Sequence, residues 1–270
     1  MATMQTTDSF LDRVAPAIDR VADRFTTLTT TADPTVRVPA SPEWTVRDVA
    51  AHLVTVAPRY ADGPRGRGSW VATPPDLAAL NQEQLAGRRD ADTAELAVRL
   101  RASLADLIAQ ITGYGGEIPS FRFHGGERIR ADAALGILLG ELLVHGHDVA
   151  KAVGRPWPIE PGDAALVVEG VNPILPGWVR PDGVRGFSAG FEIRLRGQAR
   201  HVWSFRDGRL EVNPSEPGRI DAHVLADAGA LLLVLYRRES QWRHIAAGRM
   251  LAWGRRPWLS LTLTQRFHQP

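Results

Sequence analysis

Through Val153, apolar side chains recur every three or four positions, and the breaks between these stretches fall at Pro- and Gly-rich segments. Phe10, Val14, Ile18, Val21 and Phe25 form the first stripe, with Asp and Arg opposite, and predict an amphipathic helix over residues 8–30, bent at Pro16. A Pro-punctuated loop leads to Ser41-Pro-Glu-Trp-Thr-Val-Arg-Asp, where Thr45 and Asp48 have the spacing of a capping box. A second helix is therefore expected from Val46 to Ala57, turning Val46, Val49, Ala50, Leu53 and Val54 inward. Asp62 to Pro75 contains Gly-Pro-Arg-Gly-Arg-Gly-Ser and reads as a solvated loop, since a phosphate cradle needs a flanking strand and helix. Helical spacing resumes from Asp76 to Ile111 through Leu77, Leu80, Leu85, Leu96, Leu100, Leu104 and Leu107, and Gly113-Tyr-Gly-Gly closes it. Phe121 to Ile129, with His124 inside it, is extended or irregular, and a fourth long helix follows from Arg130 to Val153. Four such helices predict a four-helix bundle.

Gly154-Arg-Pro-Trp-Pro is a sharp stop, and beyond it the period changes. Pro161 to Val179 still reads as helix. Phe187 to Leu195 and Ala199 to Phe205 alternate as half-buried strands, Arg219 to Leu225 reads as another, and Asp227 to Arg238 as a helix. The expected architecture is α followed by α+β: a helical bundle over residues 1–154 and a small α+β domain over 155–270.

Composition narrows the functional classes. With 270 residues, 44% hydrophobic and 23% charged, the chain matches an ordinary globular protein of two domains. Met1 to Phe10 is polar and no run approaches the roughly 18 apolar residues of a membrane span, so a cytoplasmic protein without a membrane partner is expected. Net charge is only +2, and the basic residues, all Arg except Lys151, are dispersed, which argues against nucleic acid as a partner. The bias toward Arg and Ala points to a GC-rich bacterial genome. There is no cysteine, so disulfides, Cys-rich zinc sites and a protein thiol nucleophile are excluded. Any thiol chemistry would have to borrow its sulfur from a small molecule.

Candidate chemistry concentrates in Gly136 to Val153, which is apolar enough to be buried yet carries Glu141, His145, His147 and Asp148. Glu141, His145 and Asp148 lie at i, i+4 and i+7, on one stripe of a helix. Burying such groups is costly unless they are paired or bind a metal. His52, on the apolar second helix, supplies a third arm. His52, Glu141 and His145 suit a divalent transition metal, zinc above all, with an open position for catalysis. The competing reading is that they are core-edge polar residues satisfied by ordinary hydrogen bonds. His147 projects about 200° away from His145 around the helix and reads as a packed or surface residue. Asp48 and Asp148 are candidates to orient the ligating imidazoles by accepting their other N–H, or else plain surface acids. Gly186-Phe-Ser-Ala-Gly190 matches Gly-x-Ser-x-Gly but leads into a strand pattern, not the strand-to-helix turn a nucleophile needs. Arg237, Arg238 and Arg249 stand near predicted element ends, where a guanidinium fork could reach a carboxylate.

Trp44-Thr-Val-Arg-Asp-Val-Ala-Ala-His-Leu-Val54 and Gly140-Glu-Leu-Leu-Val-His-Gly-His-Asp-Val-Ala-Lys-Ala-Val-Gly154 together resemble the mycothiol-dependent maleylpyruvate isomerase family, within the DinB-like superfamily. Ala226-Asp-Ala-Gly-Ala-Leu-Leu-Leu-Val-Leu-Tyr-Arg-Arg238 is similar, more weakly, to that family's C-terminal domain of sterol-carrier-like fold. The resemblance implies a DinB-like bundle whose metal ligands fall on His52, Glu141 and His145, with zinc as the ion and mycothiol as cosubstrate. It implies a mycothiol-dependent isomerase or S-transferase, monomer or homodimer, whose metal-stabilised thiolate attacks a small electrophile. Arg88, Arg237 or Arg249 would then hold substrate anions. A zinc hydrolase of a small conjugate and a non-catalytic ligand-binding module remain the alternatives.

Overall fold

The computed structural model describes residues 9–88 and 91–269; the polar segment Met1 to Asp8, on which the signal-segment reading mostly rests, lies outside them. The first helix, α1 (Phe10–Thr31), starts at a capping box: Ser9 Oγ accepts the Asp12 N–H at 3.2 Å and Asp12 accepts the Ser9 N–H at 3.0 Å. It passes through Pro16 as one helix, its buried face of Val14, Ile18, Val21 and Phe25 outweighing the lost backbone bond. A two-stranded hairpin, β1 (Arg37–Val38) and β2 (Ser41–Thr45), delivers the chain to α2 (Val46–Asp62). The Thr45–Asp48 capping box is present, Thr45 N–H donating to Asp48 Oδ2 at 2.8 Å. The helix does not stop at Ala57. It continues through Pro58, which forfeits one donor, while Arg59 and Tyr60 just beyond are buried.

The single helical stretch read from Asp76 to Ile111 is two helices, α3 (Leu77–Ala86) and α4 (Thr93–Gly113). Gly87 ends the first, and the Asp92 side chain caps the second by accepting the Ala94 N–H at 2.7 Å. The antiparallel pair β3 (Ser120–Arg122) and β4 (Arg128–Arg130) carries His124 in its turn and leads into α5 (Ala131–Ala152). The bundle is α1, α2, α4 and α5, with α3 packed on α2. By length and composition α5 alone among the described helices could cross a membrane, although charged and imidazole side chains interrupt its apolar run. Here 83% of its most apolar window is buried inside the protein, so its apolarity fills the bundle core.

Past the Gly154 break, α6 (Pro161–Val171) lies back across α5 at a glycine–glycine crossing. A Cβ added to Gly170 would sit 2.7 Å from Gly136 Cα and 2.8 Å from the Ala133 carbonyl oxygen, both backbone atoms that cannot swing aside. Gly170→Ala is expected to destabilise the protein by about 1–3 kcal/mol, through the overpacking cost of a tight interior. The check is the urea midpoint, and an unchanged midpoint would contradict the close crossing.

A 3₁₀ segment, Asn172–Trp178, replaces the end of the helix read through Val179, because Pro173 and Pro176 remove donors. After a short helix, α7 (Pro181–Val184), come β5 (Ala189–Leu195), β6 (Arg200–Arg206), β7 (Arg209–Val212) and β8 (Ala222–Ala226). They are followed by α8 (Ala228–Leu235), α9 (Gln241–Ala246) and β9 (Met250–Trp253). The sheet runs β7-β6-β5-β8-β9, with β5 and β8 parallel and every other pair antiparallel. α8 packs on α6. The expected class, a helical bundle followed by an α+β unit, is the one found, and one continuous core runs through both. β7, α9 and β9 escaped the sequence reading because they are short and, in β9, largely exposed.

Candidate metal centre and its cavity

His52 faces inward from the middle of α2, and Glu141 and His145 stand one turn apart on α5 opposite it. Glu141 Oε2 lies 3.3 Å from His145 Nε2 and 3.6 Å from His52 Nε2. Two ligands bonded to a tetrahedral ion at roughly 2.0–2.1 Å are about 3.4 Å apart, so these separations match the edges of such a site. Among the described residues this is the one set of three or more His, Cys, Asp or Glu side chains whose donor atoms all lie within 4.8 Å of one another. Trp44, buried just ahead of the α2 cap, stacks obliquely on His52 at 4.9 Å between ring centroids and reaches His145 at 6.1 Å.

The protonation pattern suits a cation. Burial pushes His52 below the ordinary histidine range, against the pull of Glu141, and leaves its imidazole neutral at neutral pH. Burial works the other way on Glu141, but hydrogen bonding from His145 and His52 outweighs it and holds the carboxyl well below its usual range. A neutral His52 and an ionised Glu141 therefore converge with His145, a donor set of two imidazoles and one carboxylate. The Nδ1 atoms of both imidazoles are buried without a hydrogen-bond partner.

The acids proposed as orienting groups are placed differently. Asp48 spends Oδ2 on the Thr45 cap, accepting both its N–H and its hydroxyl at 2.8 Å. Asp148 Oδ2 lies 3.8 Å from His145 Nδ1, beyond hydrogen-bond reach, while both its oxygens accept from Arg238 Nε at 3.1 and 2.9 Å. His147 points away from the triad, toward Glu239 Oε1 at 3.7 Å.

The triad borders a cavity of about 420 Å³ enclosed by α2, α3, α5, α6, α8 and the chain's end, in the size range of small-molecule sites. None of Arg88, Arg237 and Arg249 lines it. Arg88 donates to the Gln84 carbonyl at the end of α3. Arg237 has φ 54°, the left-handed turn that ends α8, and donates to the Phe267 carbonyl. Arg249 lies on a separate, more open cleft with Lys151 and Arg155. The guanidiniums that do border the cavity are Arg59 and Arg238. Arg59 follows His52 by seven residues on the same helical stripe, a signal that a helix ending at Ala57 leaves out. Ser188 of the Gly-x-Ser-x-Gly match precedes β5 and does not line the cavity.

His124 also faces the cavity. Burial, reinforced by repulsion from Arg59, pushes its pKa down to about 4. Because the unfolded value is near 6.5, the unfolded chain binds more protons between these limits, and stability rises as pH rises from about 4 to 6.5. This one side chain should leave the protein about 3 kcal/mol less stable at pH 4 than at pH 7. In urea titrations across that window, His124→Asn should lose this part of the slope. Parallel slopes for the two proteins would refute the assignment.

Residues 14–150, from α1 through nearly all of α5 and including the whole triad, match the family model of the mycothiol maleylpyruvate isomerase N-terminal domain. The chain belongs to this family. Of solved structures, the mycothiol-dependent maleylpyruvate isomerase is 13% identical with a TM-score of 0.51, covering 83% of this chain and 87% of its own. Its H52A mutant gives 13% and 0.54, covering 86% and 90%. At such identity the likeness carries the fold, and it extends past the family's matched domain into the α+β half. No curated protein shows significant sequence similarity to the chain.

Proposed function

We propose that this chain is a metal-dependent enzyme that turns a small-molecule thiol, mycothiol, on a small electrophile, as an isomerase of the maleylpyruvate kind or as an S-transferase. One observation carries the reading: His52 Nε2, Glu141 Oε2 and His145 Nε2 converge on a cavity in a chain that has no cysteine of its own. A divalent ion held by these three residues, zinc by preference for this donor set, supplies the Lewis acidity that keeps a thiol ionised at neutral pH. Residues 1–154 provide the donors, and residues 155–270 close the cavity through Val167, Leu232, Tyr236 and Phe267. The mainly apolar walls limit water and strengthen every charge interaction inside. Trp44 fixes the two imidazoles, and Glu141 offsets part of the ion's charge. Asp48 and Asp148 are proposed to steady the helix turns that carry His52 and His145.

Isomerase and transferase differ in the fate of the sulfur. In the first it adds to one carbon of an activated double bond, the resulting single bond rotates, and the sulfur leaves as the double bond re-forms; in the second it displaces a leaving group and stays on the product. Metal-loaded protein should convert maleylpyruvate, or a chromogenic electrophile, only when mycothiol is present. Recovered thiol marks the isomerase and consumed thiol the transferase. Conversion at the same rate without thiol would overturn the reading in favour of a hydrolase.

A further inference from the structure

Two turns of α2 beyond His52, the cavity is lined by a cation that no ion pair engages among the described residues. Arg59 is 8% exposed, and no described carboxylate pairs with it. One side of its guanidinium is fixed by neutral amides of α3: Nη2 donates to Asn81 Oδ1 at 3.0 Å and to Gln84 Oε1 at 2.5 Å. Nη1 faces His124 Nε2 at 3.4 Å, and Nε is buried with no partner. His124 is itself 2% exposed, and its Nδ1 accepts the Val71 backbone N–H at 3.1 Å. A neutral imidazole has one acceptor nitrogen, so the shorter contact puts the proton on Nε2. The Nε2–H and the Arg59 Nη1–H groups are then two donors side by side with no protein acceptor between them.

Donors in that arrangement require an acceptor from outside. The other guanidinium on the cavity, Arg238, is already paired with Asp148, so Arg59 is the one lining guanidinium without an ion pair, in a cavity also lined by Ile137, Val144, Val171 and Leu235. We propose that Arg59 and His124 together hold the single carboxylate of a substrate whose remaining body is apolar. This rests on the cavity being the substrate site. Among the cavity's own side chains, a second carboxylate would find no other guanidinium without an ion pair. Asn81 and Gln84 act as positioning residues for Arg59.

The test is calorimetric titration of the metal-loaded wild type and of Arg59→Met with octanoate and with octan-1-ol, which share an apolar chain and differ in charge. The wild type should prefer octanoate by about tenfold or more, the usual worth of a charge-assisted hydrogen bond. Arg59→Met should lose that preference while keeping its octan-1-ol affinity and its metal content. His124→Asn, whose amide can still meet the Val71 N–H, should weaken octanoate about threefold and leave octan-1-ol unchanged. It carries the test alone should Arg59→Met fail to fold. Equal wild-type affinity for the two ligands, or octanoate binding indifferent to both substitutions, as direct ligation to the metal would give, overturns the proposal. A preserved carboxylate preference in a protein that shows no thiol-dependent turnover would count against the catalytic reading and leave this one standing.

Discussion

Glu141→Gln is expected to lose metal and turnover together while the protein stays folded. The substitution preserves shape and volume and removes only the charge, so it separates the role of the carboxylate from the filling of space. Glu141 is the shared neighbour of both imidazoles, at 3.3 and 3.6 Å, and its net ionisation makes it the anionic member of the set. Loss of a partner that merely orients a ligand costs about 10–100-fold in metal affinity, and loss of the charged ligand itself should exceed that. After dialysis the variant should retain less than about a tenth of an equivalent of metal, and its thiol-dependent rate should fall at least 10²-fold. A Glu141→Gln protein that binds metal as tightly as the wild type would remove the carboxylate from the site.

The second large effect is expected at the Asp148–Arg238 pair. Asp148 is 2% exposed and Arg238 leaves 12% of its side chain accessible, so the pair is desolvated, and it ties α5 to the turn after α8. The contact depends on Arg237, whose left-handed backbone sends Arg238 back toward the bundle. Breaking such a pair from one side leaves an uncompensated charge and costs about 3–5 kcal/mol, whereas removing both partners costs far less. Arg238→Met should therefore lower unfolding free energy by about that amount, and Asp148→Asn combined with it should recover most of the loss. Urea unfolding of the four proteins of this cycle reads the coupling. A single-mutant cost under about 1 kcal/mol would place the pair among ordinary surface ion pairs.

The helical half was legible because its period is long and repeated: the Thr45–Asp48 cap and the stripes of Phe10 to Phe25 and Leu96 to Ile111 all appear as read. The i, i+4 spacing of Glu141 and His145 likewise puts both side chains on one face of α5 independently of any tertiary contact. What failed did so for local reasons. Pro58 suggested a helix end that burial of Tyr60 overrode, and Arg59 dropped from view with it. Arg237 and Arg249 are cations near element ends, and the path of the chain puts one at a helix terminus and the other on a separate cleft. The cavity could not be read at all, because its wall joins side chains as distant in sequence as Trp44 and Phe267. No periodicity encodes that meeting.

The most direct measurement is the metal content of the purified wild type beside His145→Ala. One equivalent of a divalent metal, zinc foremost, is expected in the first and less than about a tenth of an equivalent in the second, given the three-ligand site. Metal retained by both proteins, or bound by neither when zinc is supplied, would contradict the centre built on His52, Glu141 and His145.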